Sequence, residues 1–201
     1  MQSLLAGYQR FRERRWPELS QEFTSLAESG QDPKVMLIAC IDSRVDPAVI
    51  FDAAPGEILT VRNVANLVPP YSPDAAYHGT SAALEFGVKV LKVPHLIVLG
   101  HGMCGGVKAL LERDPRDRTE FVDPWMSIAE PARVRALAVP AEDRQRHCEL
   151  GVIGVSLRNL MTFPWIAQRI AERTLTLHGA WFDIRNGELA ILGADGSFQR
   201  A

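Results

Sequence analysis

Hydrophobic residues follow two alternating patterns along the chain. A continuously apolar run, which is typical of a strand buried on both faces of a parallel sheet, occupies residues 35–40, and two further strand candidates occupy residues 58–61 and 96–100. Apolar residues recur at helical spacing over residues 77–91, 105–112, 148–160 and 165–173. Strands that alternate with helices predict an α/β fold with a mostly parallel β-sheet flanked by helices.

The two ends of the chain have patterns of their own. Residues 4–27 carry apolar positions at helical spacing, interrupted at Trp16-Pro17, which predicts an N-terminal arm of two amphipathic helices. The arm has no partner within its own segment, so we expect it to dock elsewhere, for example on a second subunit. Residues 174–184 and 188–192 flank an Asn-Gly turn and predict a hairpin that adds an antiparallel edge strand.

We expect a single domain, because 201 residues are enough for one hydrophobic core and few for two. Its parts are a helical arm (1–30), a core with the first strands (35–112), a helical region (113–173) and the C-terminal strands (174–201). Residues 116–145 are polar and punctuated by proline, and the pattern assigns them no function.

The composition is that of an ordinary globular protein, with 47% hydrophobic and 23% charged residues. The formal net charge of −2 predicts neither nucleic acid nor an acidic membrane surface as a partner. No stretch approaches 18 consecutive apolar residues and the first residues lack a secretory pattern, so we expect no membrane span and a cytoplasmic location. Three cysteines, an odd and small number, favour reduced thiols, which are available to a metal.

Metal-binding side chains follow two of the predicted strands. Cys40 ends the first apolar run, and His101 and Cys104 follow the third. Because ligands of parallel sheets bind at the carboxyl ends of the strands, these side chains should meet in one crevice. Two thiolates and an imidazole are a zinc ligand set that leaves one position open for catalysis. Each half is a weak signal alone, and their joint occurrence predicts a catalytic zinc centre.

Asp42 has two possible roles beside this centre. It is either a fourth ligand, which closes the site, or an acceptor for a hydrogen bond from the zinc-bound hydroxide. If the planar fork of Arg44 holds Asp42 bidentately, the fourth position stays free. The remaining cysteine and histidines lack a second ligand at ligand spacing and are expected to bind no metal: Cys148, His78, His95, His147 and His178.

Several motifs together resemble those of the β-class carbonic anhydrases. They are Cys40-x-Asp42-x-Arg44, Pro55-Gly56-Glu57, Arg62-Asn63-Val64-Ala65-Asn66-Leu67-Val68 and Gly100-His101-Gly102-Met103-Cys104-Gly105-Gly106. The resemblance runs from about residue 31 to residue 111, weakens through 116–145 and returns at 177–179. It implies reversible hydration of carbon dioxide to bicarbonate and a proton by zinc-bound hydroxide. One Zn²⁺ per chain would bind Cys40, His101 and Cys104, with Asp42 paired to Arg44 and on the metal only in a closed form.

The resemblance also implies a substrate pocket and an assembly. Val64 and Phe86 would line the pocket, Leu59 would stand where the family often has an aromatic residue, and the Gly105 N–H would donate to substrate. Gln31 would reach in from a neighbouring subunit, which predicts a homo-oligomer, either a dimer or a tetramer. Without the resemblance, plain core packing would be the simpler explanation for the three apolar residues.

Some relatives bind bicarbonate in a second pocket that stabilises the closed form. By resemblance, that pocket uses a Trp and a Tyr at the positions of Leu37 and Phe182, neither of which has a polar donor here. We therefore expect an open site that bicarbonate does not switch off, unless Arg62 or Trp181 rebuilds the pocket.

Three other functions compete with this interpretation. A related zinc enzyme acting on carbonyl sulfide or carbon disulfide would use the same ligands with a different pocket. A structural zinc protein would close the site with Asp42, which Arg44 disfavours. A thiol redox protein is disfavoured because the sequence has no Cys-x-x-Cys pair.

Overall fold

The computed structural model describes residues 1–74, 76–114, 116 and 118–201. Within these ranges six strands form one sheet: β1 (Val35–Cys40), β2 (Ile58–Asn63), β3 (His95–His101), β4 (Thr176–Asp183), β5 (Glu188–Leu192) and β6 (Phe198–Arg200). The order is β2-β1-β3-β4-β5-β6, with parallel pairs up to β4 and antiparallel pairs beyond it. The predicted α/β fold with a mostly parallel sheet and an antiparallel edge is confirmed. Sequence patterns missed β6, because three residues are too few to show a period.

Nine α-helices occur in the described residues: α1 (Gln2–Arg10), α2 (Trp16–Ser29), α3 (Pro47–Ile50), α4 (Gly79–Glu85), α5 (Gly105–Leu111), α6 (Val122–Met126), α7 (Glu130–Leu137), α8 (Arg144–Leu160) and α9 (Pro164–Ala171). The π-helical turns Phe11–Arg15 and Phe86–Val90 extend α1 and α4. Short 3₁₀ turns occupy Val64–Asn66, Ser127–Ala129 and Ala141–Asp143.

The central strands are buried on both faces, which is why they read as continuous apolar runs. On one face, Met36 and Ile38 of β1 lie beside Leu96 and Val98 of β3 and pack with Ile153 of α8. The alternate residues form a smaller cluster on the opposite face: Leu37, Ala39, Leu99 and Ala180. Helix α8 packs against β3 and β4, so it lies under the part of the sheet that ends at His101.

The N-terminal arm is a continuous helix where the sequence predicted a break. The backbone stays helical through Trp16-Pro17, and the Trp16 N–H donates to the Phe11 carbonyl five residues earlier. Pro17 has no N–H to continue the ordinary ladder, and the π-helical turn before it absorbs the mismatch. No residue of Gln2–Ser29, all of which the structure describes, is buried.

A search of the described residues for membrane-spanning helices finds no single helix that is long and apolar enough. Two helical segments have the length and apolar composition of a membrane span only when they are taken together. They are Ala141–Leu160 and Pro164–Ala171, and they meet at an angle of 89°.

Candidate metal centre and active site

Three ligand side chains converge at the carboxyl ends of β1 and β3. The ligand atoms of Cys40, His101 and Cys104 all lie within 4.8 Å of one another, and the three residues are buried. The two sulfur atoms are 4.0 Å apart. Zinc–sulfur bonds of about 2.3 Å at a tetrahedral angle place two sulfurs about 3.8 Å apart, so the pair fits one zinc ion.

The imidazole of His101 is oriented for the same ion. Its Nδ1 lies 2.9 Å from the carbonyl oxygen of Gly102, and an Nδ1–H donor there leaves a lone pair on Nε2. Among the described residues, His101 Nε2 is buried and has no hydrogen-bond partner. A buried nitrogen without a partner is costly, and a metal ion removes that cost. The residues present therefore fit zinc.

The electrostatics of the two thiols point to a cation between them. The contact with Cys104 lowers the pKa of Cys40, and the same contact together with burial raises the pKa of Cys104. Two thiolates this close repel each other, so without a cation the pair retains a proton. A divalent ion allows both sulfurs to be ionised.

Local packing explains the glycine-rich loop that carries two of the ligands. Cys104 is the N-cap residue of α5, so it lies where the loop after His101 ends and the helix begins. A Cβ on Gly106 would lie 2.8 Å from Val64 Cγ1, and one on Gly102 would lie 3.2 Å from the ring of Trp181. The loop approaches its neighbours so closely that a larger residue at either position requires Val64 or Trp181 to shift.

Asp42 and Arg44 form the bidentate pair that the sequence suggested. Arg44 Nε donates to Asp42 Oδ1 at 2.9 Å and Nη2 donates to Oδ2 at 2.7 Å, while the Arg44 backbone N–H also donates to Oδ1. Arg44 Nη2 reaches the Met103 carbonyl oxygen at 3.0 Å, which ties the pair to the ligand loop. The guanidinium holds the pKa of the Asp42 carboxyl well below its usual range.

Arg62 and Trp181 are committed to contacts inside the chain. Arg62 donates to the carbonyl oxygens of Cys40 and Asp42 and to the carboxylate of Asp46. Trp181 Nε1 donates to Glu149. Leu37 and Phe182 belong to an apolar cluster, and the absence of a bicarbonate pocket beside them stays a prediction.

A cavity of about 1020 Å³ reaches Ile41, the residue that follows the ligand Cys40. Its apolar lining includes Ile41, Val64, Phe121, Trp125 and Ile128. Trp125 Nε1 donates to the Val64 carbonyl oxygen at 2.8 Å, so α6 supplies a wall of the cavity. Sequence reasoning missed Trp125, because its partner is 61 residues away and no local pattern marks the contact.

Other residues predicted for the pocket lie farther from the metal centre of the same chain. Leu59 pairs with Met36, four residues before Cys40, which is about 13 Å along the strand. Phe86 is 46% exposed. Gln31 is exposed and precedes β1, whose length alone separates it from Cys40 by about 16 Å. Their roles stay predictions, as does that of Gly105, which begins α5.

The residues expected to bind no metal have other surroundings. Cys148 is fully buried in α8, and burial raises its pKa to about 11. His78 pairs with Asp74, and His95 Nδ1 lies 3.2 Å from His178 Nε2.

The structure also reveals a buried acid, Glu149, beside Cys104. Burial raises the pKa of Glu149, and its hydrogen bonds oppose that shift.

A metal-binding Cys-His-Cys set at the strand ends of a parallel sheet defines a zinc-enzyme site. The sequence profile of the family "Carbonic anhydrase" matches residues 35–189. The chain is 38% identical over 178 residues to "Beta carbonic anhydrase 5, chloroplastic" of Arabidopsis thaliana, covering 86% of this chain and 58% of that protein. It is 34% identical over 202 residues to "Beta carbonic anhydrase 3" of the same plant, covering 97% and 78%.

Solved structures give the same result. The structure of the β-carbonic anhydrase CcaA has a TM-score of 0.93 at 33% identity, covering 100% of this chain and 92% of that chain. A tetrameric β-carbonic anhydrase from Sordaria macrospora has a TM-score of 0.84 at 30% identity, covering 96% of both chains. The chain therefore belongs to the β-class carbonic anhydrases, zinc enzymes that interconvert carbon dioxide and bicarbonate. The predicted family, activity and zinc cofactor are confirmed.

Proposed function

We propose that this chain hydrates carbon dioxide with its metal centre in the open form, with Asp42 held by Arg44 and away from the metal. The bidentate contact between these two side chains carries the proposal. When bound, zinc supplies a Lewis acid that makes water nucleophilic near neutral pH. The protein supplies the three ligands, the orientation of the nucleophile and the pocket for the gas.

Asp42 orients the nucleophile by accepting a hydrogen bond. Its side chain is 15% exposed and follows the ligand Cys40 by two residues. Three N–H groups of Arg44 engage its two oxygens, which fixes the plane of the carboxylate and keeps it ionised. With zinc bound, a remaining lone pair of Asp42 would accept a hydrogen bond from the O–H of the nucleophile, which would orient the nucleophile toward the carbon of the substrate.

The cavity has a mostly apolar lining that also includes Asn63, Thr80 and Glu120, and its apolar side suits a small apolar substrate. Val64 and Ile41 offer no hydrogen bond that would hold water in place, so carbon dioxide displaces poorly held solvent there. Val64 is held by Trp125 from outside and abuts Gly106 from the ligand loop. The wall is thus placed by the same loop that carries the metal ligands.

We propose that the active form is a homo-oligomer. The cavity is far larger than carbon dioxide, and Phe121 on its rim is 82% exposed. The arm exposes Leu4, Leu5 and Tyr8 by 73%, 55% and 59%. By resemblance to the family, a second copy would also bring its own Gln31 toward the site. Sedimentation should give a species of at least twice 22.2 kDa at micromolar concentration, and a single 22.2 kDa species would contradict this.

We also propose a cytoplasmic location. Three cysteines are free in the structure, and two of them have to stay reduced to bind zinc. Fractionation of cells that produce the tagged chain should recover it with cytoplasmic markers. Recovery from an oxidising compartment would contradict the proposal.

A stopped-flow hydration assay with metal analysis tests the main proposal. We expect one zinc per chain and rapid hydration. A crystal structure at neutral pH should show Asp42 on Arg44. Zinc-loaded protein without hydration activity, or Asp42 bound to the metal at neutral pH, would refute the open-form mechanism.

A further inference from the structure

Helix α8 holds the backbone of a zinc ligand with two side chains that are one turn apart. Glu149 Oε1 accepts the backbone N–H of Cys104 at 3.0 Å. Gln145 Nε2 donates to the Cys104 carbonyl oxygen at 3.1 Å and to Glu149 Oε1 at 2.7 Å. The N–H and the carbonyl of the ligand residue are thus both bound to the same helix.

Glu149 is deeply buried, with 3% of its surface exposed. Trp181 Nε1 donates to its second oxygen at 3.2 Å, and the Trp181 ring lies against Gly102 in the ligand loop. An acid in this position is costly unless donors surround it, and here three N–H groups meet its two oxygens. An acid adds nothing to apolar core packing. The hydrogen bonds of Glu149 therefore indicate that it holds the ligand loop in place.

The ligand loop needs such support. Met103, between the two ligands of the loop, has a φ of 58°, in the left-handed region that a non-glycine residue rarely adopts. A conformation of this kind persists only where the surroundings impose it. If the loop relaxed, Cys104 Sγ would move relative to Cys40 Sγ, and the ligand set would no longer match one ion.

We propose that Glu149 and Gln145 are positioning residues of the zinc site. They hold the Cys104 backbone so that its sulfur stays at the separation from Cys40 that zinc requires, and they act through Cys104 without touching substrate. The inference rests on the Cys40–His101–Cys104 zinc centre. The experiment measures metal binding and not hydration. A negative result is therefore distinguishable from a failure of the hydration mechanism.

The test compares Glu149→Gln and Gln145→Ala with the parent. Glutamine keeps the shape of Glu149 but replaces one acceptor oxygen with an NH₂ group, which then faces an N–H donor. Zinc affinity is measured by competition with a chelator, and ligand geometry by the visible absorption of the Co²⁺-substituted protein. We expect the zinc dissociation constant to rise about 10- to 100-fold in Glu149→Gln, with altered Co²⁺ bands. Gln145→Ala should change both readouts in the same direction.

Leu160→Ala is the matched control. Leu160 is fully buried near the other end of the same helix, about 16 Å along its axis from Glu149. The control lowers stability but should keep the parent's zinc affinity and Co²⁺ spectrum. Parent-like values in Glu149→Gln and Gln145→Ala, or equal zinc loss in Leu160→Ala, would overturn the proposal. If Glu149→Gln fails to fold, the half-buried Gln145→Ala decides by the same criteria.

Discussion

Trp125 offers a test of how the cavity wall is held, because one hydrogen bond joins it to Val64. Replacement by phenylalanine keeps most of the ring and removes the donor that lies 2.8 Å from the Val64 carbonyl oxygen. The residues that follow Val64 are strained: Ala65 and Asn66 have φ of 60° and 48°. A turn of this kind depends on its external hydrogen bonds, so we expect Trp125→Phe to let Val64 shift.

The expected magnitude follows from the lost bond. Removing a hydrogen bond whose acceptor is partly buried costs about 1 kcal/mol of unfolding free energy, which in a chain of this size lowers Tm by roughly 2–4 °C. If the same energy is lost in the transition state, kcat/KM for carbon dioxide falls about fivefold. Zinc content should be unchanged, because the hydrogen bond that is removed involves none of the three ligands.

The assay combines thermal unfolding, metal analysis and stopped-flow hydration. Trp165→Phe is the control, since Trp165 packs on Phe163 in the core behind the sheet and not on the cavity. The control should lose stability because its core packing changes, and it should keep the kcat/KM of the parent. Equal kcat/KM in Trp125→Phe and the parent, with unchanged Tm, would refute the reasoning that this bond holds the wall.

Three further predictions concern the metal centre. Cys104→Ala should lose zinc and activity together, and full zinc with full activity would show that the ligand assignment is wrong. Arg44→Ala should keep zinc but lower turnover sharply, because Asp42, freed from its partner, moves to the metal; a crystal structure with Asp42 unmoved and unchanged turnover would contradict this. Added bicarbonate at fixed pH should inhibit without cooperativity, because Leu37 and Phe182 offer no donors to an anion; cooperative inhibition with bicarbonate bound beside them would contradict it.

The sequence by itself determined the features that depend on local pattern. The strands that end at Cys40 and His101 are buried on both faces, so their apolar runs predicted them directly. The Asn-Gly turn predicted the hairpin of β4 and β5. The rule that ligands bind at strand ends was enough to bring Cys40, His101 and Cys104 together across about sixty residues. These predictions needed only the period of a strand and the chemistry of zinc.

Tertiary structure decided what holds those ligands in place. Glu149 meets the backbone of Cys104 from 45 residues away, and Trp125 meets Val64 from 61 residues away. Such contacts depend on how α8 packs on the sheet and α6 on the Val64–Asn66 turn, and packing is set by the shapes of many side chains at once. A helical pattern indicates which face of α8 is buried, but a buried acid on that face looks like any polar interruption until the helix is placed under the zinc loop.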